Sequence, residues 1–449
     1  MKKVVPVLLL WWLIGSCTAP GPQKKQNLAF GSGQISQVIN QMTDIMVHDV
    51  TNPPLAARFF SYATLAGYEV VAHHDSSYQS MHGILKQYPQ IAKPKDLTGH
   101  SPELSAVLAM METARKMQPS GSMLDSLEAR FLDSCRREGL AEEVITASLK
   151  YAQRVSKEIL AYAKADKYNR ISNYPRYTPK EGEGNWYPTP PAYFAPVEPY
   201  FNTVRSFTLD TCTQFKPAPP VAFSTNKKSA FFKMLQQNYR VSTHLTPEQQ
   251  AIAAFWDCNP FALQDNGHLQ AGLKKISPGA HWLGITGIAC QQTKADFSKA
   301  MKVHTLVSLA LMDGFIACWD EKFRSNRIRP ETAIRKYIDP SYKPLLQTPP
   351  FPEYLSGHST ISAASAVILT HFFGESFRYT DTVEERFGLP ARTFNSFQEA
   401  AIEAGLSRLY GGIHFVDAVD NGRLQGLQVG EWVLRKVEGA PQVLASVQK

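Results

Sequence analysis

An all-α protein of two packed helical bundles is what this sequence predicts, on three observations. Apolar residues recur every three to four positions through much of residues 34–170, the period of a helix with one buried face, and helix-forming stretches resume after 228. No convincing strand alternation interrupts residues 34–170. Between the two helical stretches lies 171–227, dense in proline and aromatic residues, where proline stops a helix from continuing. The composition agrees. At 449 residues, with 44% hydrophobic and 19% charged, the chain is globular and long enough for two or three domain-sized units or one large helical body. Its net charge of +8 is diffuse, with no basic cluster interleaved with aromatics, and that excludes nucleic acid as a partner.

In chain order, residues 1–17 read as a signal peptide. Lys2 and Lys3 precede an apolar stretch too short to span a bilayer comfortably, and Ile14-Gly15-Ser16-Cys17 resembles a bacterial lipobox. Cys17 is then the lipidated first residue of an exported protein, anchored by that lipid in the bacterial cell envelope, facing the periplasm or on the outer membrane. Residues 18–32, polar and broken by Pro and Gly, form a flexible tether. An N-terminal helical bundle follows over 33–170. Asn52-Pro53-Pro54 breaks the chain and opens a new helix, and further helices fit 102–117, 122–137 and 140–166. Residues 171–227 form an extended connecting segment whose rings cover the seam between the halves. The C-terminal domain, 228–449, opens with helices at 228–243 and at 246–257, where Thr246 caps and Pro247 starts the second. The apolar stretch that follows carries His281, His304 and Asp313, read as hydrogen-bonded core groups. Adjacent His73 and His74 face different ways on a helix and do not share a metal. Cys135, Cys212, Cys258, Cys290 and Cys318 show no CxxC pair and no Cys/His metal spacing, and read as small buried hydrophobes.

The chemistry gathers around FPEYLSGHSTISAASAVILTHFF, residues 351–373. Ser356 is a natural helix N-cap, Gly357 lets an oxyanion approach the main chain, and His358 can move protons near pH 7. Upstream stand Lys322 and, after six residues, Arg329-Pro330; downstream stand Ser407-Arg408 and, after five residues, His414. Lys322, Arg329 and Arg408 supply three cations for one pocket, and arginine forks suit tetrahedral oxyanions. The seven-residue spacing predicts that one helix face presents both Lys322 and Arg329.

This three-part pattern resembles the signature shared by the vanadium-dependent haloperoxidases and the type 2 phosphatidic acid phosphatases, and DGFIACWDEK and PPFPEY look more like the haloperoxidase branch. The resemblance implies a helical fold with the active site inside the C-terminal bundle. It implies vanadate as cofactor, bonded to His414 as the metal ligand, with His358 as the acid–base group. Lys322, Arg329, Ser356, Gly357 and Arg408 would bind the oxyanion, and Trp319 and Phe351 would line the halide side of the pocket. Hydrogen peroxide and a halide are then the substrates. The alternative is a phosphatase acting on a phosphate ester, with His414 as nucleophile and phosphate or nothing in place of vanadate. A non-catalytic envelope lipoprotein is a third reading, disfavoured because clustered buried cations without a ligand are costly. Two departures stand out. Leu355 replaces the usual proline before Ser-Gly-His, and Ala418 stands where the phosphatases carry an orienting aspartate, between Asp417 and Asp420. A backbone carbonyl is the expected substitute orienter of His414.

Overall fold

In a computed structural model, the structure describes residues 30–265, 270–273 and 275–439. The signal peptide with Cys17, and most of the tether, lie outside these residues. Thirteen α-helices and two short hairpins make up the described chain, so the all-α expectation holds.

Eight of the thirteen helices begin where a side chain accepts from a first-turn N–H group. Helix α1 spans Ser32–His48, and α2 spans Pro53–His74 with Asn52 accepting from the Leu55 amide at 2.9 Å. Ser101 opens α3 (Pro102–Met117) in the same way; α4 (Leu124–Arg137) and α5 (Glu142–Lys164) complete the first half. After α6 (Ala230–Thr243), Thr246 and Gln249 form a capping box at α7 (Pro247–Phe255). A small hairpin pairs β1 (Leu263–Asp265) with β2 (Gln270–Gly272). Then come α8 (Pro278–Gln292), α9 (Phe297–Ser325), α10 (Pro330–Tyr337) and α11 (Gly357–Phe373). A second hairpin pairs β3 (Tyr379–Asp381) with β4 (Arg392–Phe394), ahead of α12 (Phe397–Tyr410) and α13 (Val416–Glu438).

Helix α9 is the axis of the molecule. It is long and apolar enough to cross a membrane, yet almost all of it is buried inside the protein. Helix α2 packs on one side of it and α11 and α13 on the other, so one continuous core runs from Ile35 to Leu434. Polar groups tie α2 to α9: Ser61 Oγ donates to the Ser308 carbonyl at 2.8 Å, and Thr305 Oγ1 to the Thr64 carbonyl at 3.2 Å. The Pro- and aromatic-rich segment runs across these helices mostly without regular structure. It is clamped by Asp313 of α9, which accepts from the backbone amides of Phe207 and Thr208 at 2.7 Å and from Thr208 Oγ1 at 2.6 Å. Asp313 is therefore a structural anchor, and His304, bonded through Nδ1 to the Ala300 carbonyl, is a core group. His73 and His74 diverge as expected, one to Tyr151 and the other to His100.

The predicted common helix face for Lys322 and Arg329 does not exist. Helix α9 stops at Ser325 because Asn326 takes a left-handed conformation (φ 51°), and Arg329 becomes the N-cap of α10 ahead of Pro330. The turn between them brings the two cations together from two elements.

Candidate active site

The last two turns of α9 deliver Trp319 to the pocket and Lys322 beside it, against Phe351. Lys322 is fully buried, and its ammonium donates to the carbonyls of Pro352 and Glu353, each at 3.1 Å, and of Leu355. It thus pins the loop that leads into Ser356, and desolvation pulls its pKa down to about 7.

Arg329 is equally buried. Its Nε donates to the Phe351 carbonyl at 2.9 Å and its Nη1 to the Ile413 carbonyl at 2.8 Å, while Nη2 has no partner. Burial lowers its pKa to about 9, which leaves it a cation at pH 7. Arg408, near the end of α12, donates to Ser407 Oγ at 2.9 Å and to the Trp256 carbonyl at 2.5 Å. Among the described residues, none of these three cations forms an ion pair; their partners are carbonyls, a hydroxyl and a neutral imidazole.

Ser356 caps α11 as predicted, its Oγ accepting from the Ser359 amide at 3.3 Å and from Ser359 Oγ at 2.9 Å. The first-turn amides of Gly357 and His358 have no carbonyl within the helix to bond, and the positive end of the helix dipole lies with them. His358 lines the pocket with its Nε2 unpartnered. Desolvation, then the charges of Arg408 and its neighbours, push its pKa well below the usual histidine value.

His414 stands in the loop between α12 and α13, facing Arg329, whose Nη1 lies 3.2 Å from its Nε2. The orienting group is Glu353, not a backbone carbonyl. Glu353 Oε1 accepts from His414 Nδ1 at 3.0 Å and from the Phe415 amide at 2.8 Å, and Oε2 accepts from Arg327 Nε at 2.6 Å. The proton therefore sits on Nδ1, and Nε2 presents its lone pair. Burial and the surrounding cations hold the pKa of His414 well below normal, so the ring is neutral at pH 7. Asp417 does not touch His414. It takes Arg327 Nη1 and Nη2 at 2.6 and 2.7 Å, and Asp420 is exposed. Ala418 has its own use, its carbonyl accepting from the Ser356 amide at 3.0 Å.

Trp319 and Phe351 form one wall, with ring centroids 4.9 Å apart. Lys322 Nζ lies 5.0 Å and the Arg329 guanidinium 5.1 Å from the Phe351 ring, so this wall also faces the cations. Gly357 lies against it: a Cβ there would stand 3.5 Å from the Trp319 ring. Phe261, Ile413 and Pro349 extend the apolar lining toward Cys258 and Asn259.

Sequence reasoning missed Glu353 and Arg327. A signal for Glu353 existed: it is the sole charged residue between Lys343 and Glu375, histidines aside, in a stretch rich in proline and apolar residues. A lone acid in such surroundings is buried only with partners.

A solved structure described as the first bacterial vanadium-dependent iodoperoxidase is 41% identical to this chain. It superposes with a TM-score of 0.87, and the match covers 92% of this chain and 98% of that one. This chain belongs to the vanadium-dependent haloperoxidases. The family described as the VCPO second helical-bundle domain matches residues 302–442, which hold every residue of the predicted oxyanion site. Two bacterial vanadium-dependent chloroperoxidase structures share the haloperoxidase fold at lower identity. The holo form is 15% identical with a TM-score of 0.65, covering 92% of this chain and 98% of that one. The apo form is 17% identical with a TM-score of 0.66, covering 87% and 96%. No curated protein matches the chain.

Proposed function

We propose that this protein is a vanadate-dependent haloperoxidase that uses hydrogen peroxide to oxidise halide to hypohalous acid. One observation carries the reading: Arg408 and His358 line a pocket that Arg329 adjoins at His414 and Lys322 adjoins at Phe351, none of the three buried cations has an ion-pair partner among the described residues, and Arg329 Nη2 and His358 Nε2 are left unpartnered. Unmatched buried donors and charges are destabilising, and a tetrahedral oxyanion answers them together. Vanadate fits this donor set, because the neutral His414 offers an Nε2 lone pair to a metal while the arginines and the α11 amides suit its oxygens. When bound, vanadate supplies a Lewis-acidic centre that activates peroxide without changing its own oxidation state.

The protein's own residues do the rest. Arg329, Arg408, Ser356 and the Gly357 amide hold and orient the oxyanion, and Lys322 adds charge while fixing the loop before Ser356. Glu353 keeps the proton of His414 on Nδ1. His358, neutral at pH 7, accepts a proton from hydrogen peroxide at Nε2 and returns it to the leaving oxygen. Trp319 and Phe351 keep water from the halide. Lipid attachment at Cys17 and residence in the cell envelope belong to the same proposal. Labelling with a fatty-acid probe tests them: the label appears on the natural protein and is lost in Cys17→Ser.

The Glu353–His414 pair also supports the phosphatase alternative, since a nucleophilic histidine needs an orienting acid. One preparation assayed two ways separates the readings. Halide oxidation that appears on adding vanadate supports the haloperoxidase. Phosphate release from an aryl phosphate, inhibited by vanadate and without halide oxidation, would replace it with the phosphatase.

A further inference from the structure

Behind the pocket wall lies a second cluster that the oxyanion chemistry does not use. Cys258 follows α7, His281 is in the first turn of α8, and Glu384 follows β3; they are 3%, 0% and 6% exposed. Cys258 Sγ is 3.5 Å from His281 Nδ1 and 3.7 Å from Glu384 Oε1, and His281 Nδ1 is 3.3 Å from Glu384 Oε1. On the far side of the ring, His281 Nε2 meets Asp381 Oδ2 at 2.8 Å.

These spacings match a coordination triangle. Ligands about 2.3 Å (sulfur) and about 2.0–2.1 Å (nitrogen, oxygen) from a tetrahedral zinc stand about 3.6 Å apart for S–N and S–O, and about 3.4 Å for N–O. Without a metal, a doubly protonated His281 is the competing account: despite its burial, Asp381 and Glu384 on its two nitrogens hold its pKa well above the usual histidine value. The nitrogen–oxygen separation of 3.3 Å to Glu384 is nonetheless longer than the usual ~2.9–3.0 Å of a hydrogen bond. Asp381 is the independent second observation. A metal-bound histidine almost always gives its other N–H to a carboxylate or carbonyl, and Asp381 sits where it fixes the proton on Nε2 and leaves Nδ1 for a metal.

We propose that Cys258, His281 and Glu384 bind a divalent metal ion of zinc type, with Asp381 as the outer carboxylate that orients His281. A thiolate and a carboxylate balance the dication, and a mixed sulfur, nitrogen and oxygen set suits a borderline-soft metal. Cys258 lines the active pocket, which gives the ion its path in. The site shares no residue with the oxyanion centre, but it braces it. Trp256 stacks on His281 at 4.7 Å, and the Trp256 carbonyl holds Arg408.

The test uses the full chain without an affinity tag, produced with zinc in the medium and dialysed before elemental analysis. One zinc per chain is expected, lost in Cys258→Ser and in His281→Gln and kept in Cys212→Ser, a change at a half-buried thiol elsewhere. Cobalt introduced in place of zinc should give a thiolate-to-metal charge-transfer band that Cys258→Ser lacks. Chelation should lower the melting temperature of the natural protein and leave that of Cys258→Ser unmoved. A natural protein that retains no metal and gives no thiolate–cobalt band overturns the proposal. So does a folded Cys258→Ser or His281→Gln variant with undiminished metal. If both variants fail to fold, the cobalt spectrum of the natural protein decides alone, since the band requires a sulfur ligand.

Discussion

Glu353→Gln exchanges one carboxylate oxygen for an amide nitrogen and forces a donor against a donor. Oε1 accepts from His414 Nδ1 and the Phe415 amide, and Oε2 accepts from Arg327. Whichever way the new amide turns, its NH₂ faces an N–H group. At least one charge-assisted hydrogen bond is lost, about 1.5–3 kcal/mol, at a fully buried position. The effect on the site is larger than on the fold. Loss of the group that orients a metal-binding histidine typically costs about 10–100-fold in affinity, roughly 1.4–2.8 kcal/mol. Vanadate titration by calorimetry, beside thermal unfolding, reads both effects. Asp417→Asn is the control: Asp417 holds the same Arg327 from its other side but makes no contact with His414. It should lower the melting temperature and leave vanadate affinity close to that of the natural protein. A folded Glu353→Gln protein with unchanged affinity would refute the orienting role. Equal loss of affinity in the two variants would show that Arg327, not the tautomer of His414, is what matters.

His414→Ala should abolish vanadate binding, whereas His358→Ala should keep binding and lose roughly 10²–10⁴-fold in turnover; calorimetry and steady-state kinetics on both variants would expose an inverted assignment. Arg329→Ala should weaken oxyanion binding roughly ten- to hundredfold, measured in the same titration, because Arg329 offers an unpartnered charged donor. Lys322 has a folded pKa of about 7 against about 10.4 when unfolded, so between those values the unfolded chain binds more protons. Its burden on anion-free stability is therefore full below about pH 7 and is relieved as the pH rises toward 10. Relative to Lys322→Met, the natural protein should gain stability from pH 6 to pH 9.5 in denaturant unfolding, and a saturating oxyanion should flatten that gain.

Local signals were the legible part of the fold. Asn52-Pro53, Thr246-Pro247 and Ser356 each announce a helix start through one side chain and its near neighbours, and each caps as expected. The cations were legible because motif spacing names them, but their arrangement was not. A heptad spacing implies one helix face only while the helix continues, and Asn326 ends it. Glu353 was missed because its partners, Arg327 and His414, lie 26 and 61 residues away, beyond any periodic pattern. Cys258 reads as a small buried hydrophobe and His281 as a core group, and Glu384 carries no signal at all, for the same reason. Separations of 23 and 126 residues carry no motif, and only tertiary packing closes the triangle.

The central position of α9 governs when the pocket can exist during folding. Its inner surface is completed by Ser61, 247 residues before Ser308, and by Phe207 and Thr208, more than a hundred residues before Asp313. The pocket is completed by the cation Arg408 and the neutral His414 far downstream. Contacts so distant in sequence form late, since loop closure must precede the packing that rewards it. A nascent chain that ends before α12 holds Lys322 and Arg329 but no Arg408 or His414. Oxidant production, on the proposed chemistry, is therefore confined to chains that have emerged and closed almost completely.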